Sequence, residues 1–477
     1  MGNNNLFKTT LFFLVYIVVG LWMIAEYPDY LPPRESGCYI FITFSYFLVA
    51  GTLFVTYIFK GLDIFEPIVL ITFIYLIMFC ITPIINLIAG DTRLLGVDVM
   101  DGCIRGTVVF LLSYFSFYIG YYCKKTSSVE AVSVAETVVT DMQKLYITRI
   151  SLFIWMLCYA AIMLYTMRSG KSFIYVVSIG MSGGINEALF QTRVDFFGVI
   201  GYAMVPSFLY IWIYHQSKAL KLLLGVLTLS SFVVIGFRFI IIILVFAPIV
   251  FAYIKKNTRP KVVSIVMMLL VVLVMINIVG FIRDNIRAGK GVQWDSFNYN
   301  FVTNTIKGNF DNVYMPFYGL VDAVPERHDY TWGQQFLYTG TMLVPRALWP
   351  EKPMPLFKEL VATAVSDYAV IAGVALPNIG EYYAEFGIAG CIICMFVFGY
   401  VFGWCTKLYQ MPIRNDHALI AYSIIFPASM QLVIRGYTSS NFYLMVFLLS
   451  PVVLINWLVK RKAARIGSSV CKIIEFK

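Results

Sequence analysis

Val234-Ile235-Gly236-Phe237-Arg238-Phe239-Ile240 lies at the centre of an apolar tract that runs from residue 219 to residue 254. Read as one helix, the tract is longer than an ordinary membrane span and reverses the sidedness of everything downstream. Read as two short spans meeting at Gly236-Phe237-Arg238, it preserves that order, and we adopt the break. The rest of the chain calls for the same kind of reading. Of its 477 residues, 60% are hydrophobic and 13% charged, with a mean hydropathy of +0.79. A soluble domain is about a quarter charged, so the composition is that of an all-α polytopic integral membrane protein. Stretches of about 20 apolar residues number about twelve. They centre near Val15, Phe47, Ile74, Leu111, Met156, Tyr210, Leu227, Leu244, Val271, Phe396, Ile424 and Leu448. The first lacks a small-residue cleavage site before a soluble domain and reads as a retained span.

Orientation follows from the Lys/Arg bias of short loops. The even-numbered connections carry Lys60, Lys124-Lys125, Lys218 with Lys221, Lys255 to Lys261, and Lys407 with Arg414. The tail adds Lys460-Arg461-Lys462 and Arg465, whereas the first two odd-numbered loops hold Glu26, Asp29, Glu35, Asp91, Asp98 and Asp101. Both termini are therefore expected in the cytoplasm. The net charge of +10 is accounted for by these flanks, which suit anionic lipid headgroups and imply no nucleic-acid partner. The nine cysteines are mostly apolar filler within spans, Cys391 and Cys394 included.

The expected organisation is spans one to nine over residues 1–282, with an outer loop at 168–197. A large outer loop occupies 283–379, between spans nine and ten. Spans ten to twelve occupy 380–459, and a basic tail 460–477. Within the large loop, Leu356 to Leu376 alternates at roughly helical spacing and reads as a helix lying on the membrane interface.

The chemistry is expected in that loop and at the outer ends of the spans. Arg168, Arg193, Arg238, Arg283, Arg287, Arg346 and Arg435 are all placed on the side that topology disfavours for cations, as are Lys290 and Lys352. Snorkelling to headgroups or pairing with a carboxylate such as Asp284 explains any one of them. The whole set points to an anionic ligand. Arginine's planar fork suits phosphate oxygens, and a convergent cluster would stabilise a phosphate leaving group. The outer loops contain no Asp-x-Asp cage, so fixed arginines are expected in place of a metal ion, with no cofactor. Candidate bases are Asp311, His328, and Glu381 or Glu385 in Gly380-Glu381-Tyr382-Tyr383-Ala384-Glu385-Phe386-Gly387. A lone loop histidine more often has no catalytic role. Glu381, at the mouth of a span, is expected to need an arginine partner.

Val344-Pro345-Arg346-Ala347-Leu348-Trp349-Pro350-Glu351-Lys352-Pro353, followed by the Gly380–Gly387 run, resembles bacterial O-antigen and oligosaccharide repeat-unit polymerases of the Wzy type. The Gly236-Phe237-Arg238 break, Arg435-Gly436 and the single large outer loop resemble that family too. The outer loop around Arg168 and Arg193 departs from the arginine-plus-glycine pattern of some members. The resemblance implies a GT-C-like fold in the bacterial inner membrane. It implies a metal-independent glycosyltransferase that joins undecaprenyl-pyrophosphate-linked oligosaccharides, one as donor and one as acceptor, with a chain-length regulator as a further partner. Arg238, Arg283, Arg287, Arg346 and Arg435 would then bind the donor, with Lys352 and Tyr382 beside them. Glu381 would act as base or orienter, with His328 and Asp311 as further catalytic candidates. Two rival functions are an O-antigen ligase, which would rely on a loop histidine, and a flippase or transporter, which would be expected to show two related halves.

Overall fold

The structure is a computed structural model. It describes residues 3–124, 139–168, 200–235, 238–261, 310–341, 356–366, 374–410 and 415–475, with scattered positions at 263–281, 344 and 349. The regular elements of the described residues are helices, apart from a hairpin of two two-residue strands that pairs Arg93-Leu94 with Val97-Asp98. Seven of its helical segments are long and apolar enough to cross a membrane. Two shorter apolar helices, Phe13–Ala25 and Phe239–Lys255, accompany them.

The first four helices are α1 (Asn3–Ala25), α2 (Pro33–Lys60), α3 (Pro67–Ile88) and α4 (Cys103–Lys124). Proline starts α2 and α3, where its missing N–H costs no hydrogen bond. Inside α3 the residues Ile77–Ile81 widen into a π-turn. Pro83 lacks the N–H that would bond the Phe79 carbonyl, and the Thr82 N–H and hydroxyl (2.8 Å) both donate to the Ile77 carbonyl. Then follow α5 (Asp141–Arg168), α6 (Met204–Tyr214), α7 (Lys218–Ile235) and α8 (Arg238–Lys255). The 219–254 tract thus forms two 18-residue helices, as the break at Gly236-Phe237-Arg238 requires.

The segment expected as a large loop contributes α9 (Asp311–Ala323), α10 (Gln334–Thr341) and α11 (Leu356–Ala364). The chain closes with α12 (Asn378–Gln410), α13 (Asp416–Ile434) and α14 (Thr438–Glu475). Of these loop helices, α9 is embedded in protein, with Val313 to Val321 buried. The interfacial reading of Leu356–Leu376 needs correction. Helix α11 ends at Ala364, and its apolar face, Leu360, Val361 and Ala364, is buried in a hydrophobic core shared with α3, α4 and α9. Its amphipathicity is satisfied by protein.

Two hydrophobic clusters divide the bundle. One joins α1 to α4 with α9, α11 and α12. The other joins α5 to α8 with α14 and most of α13. Ile425 and Val433 of α13 face the first cluster, while Tyr422, Ile424 and Ala428 face the second, so α13 is the shared wall. A close seam runs between α4 and α12. A Cβ on Gly399 would stand 2.1 Å from the Phe117 carbonyl oxygen, and one on Gly120 2.1 Å from that of Phe396. With Gly403 against Tyr121, the small residues let two backbones touch, as the four-residue spacing of Gly399 and Gly403 favours in membranes.

The connections gather at two ends. At the basic end, Lys255 pairs with Asp416 at 2.5 Å and the Tyr214 hydroxyl donates to the same carboxylate. Arg259 forks onto Asp63, and the Tyr422 hydroxyl donates to the Phe65 carbonyl. At the opposite, loop end, Arg34 binds Asp98 (2.8 Å) and Asp101 (2.6 Å). The 82–102 region, α9, α10 and the α13–α14 turn share this loop end. Helix α14 begins there and runs back until Lys462 sits 4.0 Å over the Tyr146 ring. Tyr27 and Tyr39 bind the α1–α2 corner at the loop end, so α1 starts at the basic end as well.

Candidate active site

The Gly-Glu-Tyr-Tyr run is a short helical turn, Asn378–Glu385, set apart from the rest of α12 by a kink. Gly387 adopts φ +64°, and a Cβ there would meet the Tyr330 ring at 3.1 Å. The turn lies alongside α9. The Ala375 N–H donates to the Asn312 carbonyl (2.9 Å) before it, and the Tyr383 hydroxyl donates to the Val324 carbonyl (3.2 Å) near its end. From α3, the Tyr75 hydroxyl donates to Asn378 Oδ1 at 2.9 Å.

Glu381 and Glu385 stand four residues apart and so share a face. Glu381 is 4% exposed and Glu385 fully buried. The Glu381 carboxylate accepts from the Thr438 N–H (2.9 and 3.1 Å) and from the Thr438 hydroxyl (2.6 Å), at the first residue of α14. Glu385 accepts from the N–H groups of Gly333 and Gln335 (2.9 Å for Gln335), at the start of α10. Each carboxyl group therefore caps the N-terminus of another helix by accepting from N–H groups that have no partner within that helix. The expected arginine partner of Glu381 is thus replaced by Thr438 among the described residues. The Glu381 cap joins the two clusters, or lobes, since α12 packs in the first and α14 in the second. The capped helices are also tied to each other. Thr339 and Ser439 share a 2.8 Å hydroxyl contact, and the Tyr443 hydroxyl donates to the Thr339 carbonyl at 2.7 Å.

Arg435 is in the turn between α13 and α14, three residues before Thr438. Its N–H donates to the Gln431 carbonyl (3.0 Å), and its own carbonyl accepts from Asn441 Nδ2 (2.5 Å). The Gly436 N–H donates to the Leu376 carbonyl at 2.8 Å. A Cβ on Gly436 would lie 2.4 Å from Asn378 Cα, so only glycine lets this turn rest on the lead-in to α12. The backbone is fixed from both sides while the arginine is exposed. Tyr382, between the two glutamates in sequence, is half-buried and packs on the first lobe.

The other candidates are more dispersed. Asp311, on the first turn of α9, accepts from Asn86 Nδ2 at 2.8 Å. His328 follows the far end of that 13-residue helix, about 20 Å away along its axis. Its Nδ1 contacts the Asp329 carbonyl (2.7 Å) and its Nε2 contacts Glu359 of α11 (3.2 Å), so it joins the loop to α11. Arg327 pairs with Asp322 (2.5 Å), and Arg105 lies 3.7 Å from Glu326. Arg238 begins α8, and Arg168 ends α5, but both side chains lie outside the described residues, as do Arg193, Arg283, Arg287, Lys290, Arg346 and Lys352. Thr438, Ser439 and Gln335 were not expected from sequence. The run Thr438-Ser439-Ser440-Asn441 after Arg435 carries a helix-start signature that could have flagged the first two. Gln335 has no such signal.

The family model for O-antigen polysaccharide polymerase Wzy matches residues 6–462. The chain belongs to that family. The polymerase is thus a multi-pass membrane protein and a glycosyltransferase-type enzyme of O-antigen repeat-unit polymerisation, acting on lipid-linked oligosaccharide repeat units in the membrane. Neither the curated proteins nor the solved structures contain a significant match to it.

Proposed function

We propose that the polymerase joins repeat units at the loop end of its bundle, on the outer face of the bacterial inner membrane. The lysines and arginines of the basic end support a cytoplasmic placement of that end and of both termini. The hydroxyl of the terminal sugar on one lipid-linked unit attacks the anomeric carbon of the donor glycan. The bond from that carbon to the pyrophosphate oxygen breaks, undecaprenyl pyrophosphate leaves with the electron pair, and the hydroxyl proton passes to a base. No metal is invoked. Arginines supply the charge that stabilises the leaving pyrophosphate.

The observation that carries this reading is Arg435, exposed on a backbone fixed at the junction of the two lobes. Sites between packed bodies are common places for ligands. Arg238, Arg283, Arg287 and Arg346 are proposed as its partners on the pyrophosphate, with Lys352 supporting the loop and Tyr382 beside the donor. With three hydrogen bonds from Thr438 already on its carboxylate, Glu381 acts as the orienting residue for the Arg435 turn. Asp311 remains the candidate base. The ligase alternative would require His328 to take part in the reaction, and its contacts to Asp329 and Glu359 favour a packing role instead. A chain-length regulator is expected as a further partner.

The test is a surface-glycan gel from a deletion strain carrying wild type, Arg435→Ala or Arg346→Ala. Rescue of the ladder by wild type alone, with single repeats left by both variants at normal protein levels, is the expected result. A full ladder from both variants would remove the arginines from the reaction. Loss of all surface glycan in the deletion strain would point to flipping or ligation.

A further inference from the structure

Helix α10 has its polarity reversed relative to a helix that borders water. Its inward face carries Gln335 and Thr339, four residues apart, and both bond to Ser439 of α14. Its outward face carries Phe336 and Leu337, with the exposed Gln334 at its first position, and Trp332 precedes it. Trp332 is 71% and Leu337 74% exposed. Polar groups inward and large apolar groups outward describe a helix whose outer surroundings are lipid. In α11 the apolar face is buried in protein. The difference separates the two loop helices.

The exposed face of α10 also continues the wall of the bundle. Phe386, at the kink of α12, stacks on Phe336 with ring centres 6.2 Å apart and meets Trp332 edge-on at 6.4 Å. Directly after the kink come Ile388, Ile392 and Ile393, exposed along α12, with Ile393 at 65%. An apolar surface therefore runs from the span, through Phe386, onto α10 without a polar break at these positions. Exposed apolar surface of this extent marks a contact with lipid or protein, and its continuity with a membrane span selects lipid.

We propose that Trp332, Phe336 and Leu337, with Phe386, are seated in the interfacial layer of the bilayer, making α10 a membrane-surface element. Tryptophan suits that layer, where one edge of the ring is wet and the other dry. Because Gln335 and Thr339 hold Ser439, anchoring α10 in lipid also sets the depth of the turn that carries Arg435. The arginine then stands at the level of lipid phosphates, where the diphosphate of a lipid-linked substrate must lie. This inference concerns seating alone and does not depend on which bond the enzyme makes.

The test places nitroxide labels on the full-length protein in phospholipid nanodiscs, with native reactive cysteines replaced by serine. Leu337→Cys and Phe336→Cys are compared with Ile393→Cys on the span and Asp329→Cys in the loop. The expected result is relaxation of the 336 and 337 labels by oxygen rather than by a water-soluble nickel chelate, matching 393 and opposite to 329. Relaxation by the nickel chelate, as at 329, would overturn the proposal. Labels reached by neither probe would also overturn it and would assign the face to a protein partner. Two label sites keep the result readable if one variant fails to fold. Since no glycan is involved, the seating can fail while the polymerase reading stands, or the reverse.

Discussion

Gly436 shows how strictly a single residue can set this site. Its missing side chain lets the α13–α14 turn lie on Asn378, and both neighbouring groups are backbone, which cannot swing aside. Gly436→Ala is expected to cost about 1–3 kcal/mol through overpacking and to remove chain elongation by displacing Arg435. Thermal unfolding in detergent and the glycan ladder would measure the two effects separately. Unchanged values of both would show that the turn has slack. Glu381→Gln tests the cap more gently, because it keeps the shape and replaces one of the two oxygens that receive the Thr438 N–H and hydroxyl with an amide donor. A hydrogen bond contributes about 0.5–1.5 kcal/mol net, and a loss of that order is expected. If Glu381 orients the turn, the variant should bind donor more weakly and keep a residual ladder. A variant that folds and binds donor as wild type but transfers nothing would instead make Glu381 the base.

At the scale of elements, the α4–α12 seam and the paired caps do different work. The seam is made of backbone contact at Gly120, Gly399 and Gly403. Gly399→Leu is expected to push the two helices apart and to lower the yield of folded protein in membranes, read by size-exclusion profile and melting temperature. A monodisperse, wild-type-stable variant would contradict the close approach. The sequence made the seam's members visible as spans but gave no reason to pair α4 with α12, which are almost three hundred residues apart. The helical character of the chain and the break at Gly236-Phe237-Arg238 were legible because apolar length and charge placement are local signals. The mistaken interfacial assignment of Leu356–Leu376 came from the same kind of signal. A periodic apolar face says that something covers it and leaves open whether protein or lipid does so. For α11 the cover is the core of the first lobe.

For the molecule as a whole, the clasp at the loop end links stability to pH. Burial opposes ionisation of Asp98, but the Arg34 hydrogen bond, the Met100 N–H and the Arg34 charge outweigh it, and the carboxyl titrates below its ordinary value. Its contribution is therefore present above the unfolded-state pKa of about 3.9 and is lost as pH falls through the lower folded value. Since Arg34 and Asp98 are each about a third exposed, the contribution is at most about 1 kcal/mol. Melting curves should show a smaller acid-side loss for Asp98→Asn than for wild type, and identical slopes would exclude the clasp. The site itself was half legible. Glu381, Glu385 and Arg435 were found as charges in apolar company, but their partners Thr438 and Gln335 are defined only by the meeting of distant segments. That distance also orders biogenesis. Thr438 leaves the ribosome 57 residues after Glu381, so a nascent chain can have most of its helices in the membrane while Glu381 still lacks its cap. A premature stop before the last helix would yield an inserted protein whose second core lacks Leu444, Leu448, Val452 and Ile455 and whose Glu381, Gln335 and Thr339 lack their partners, an opening that cellular quality control could recognise.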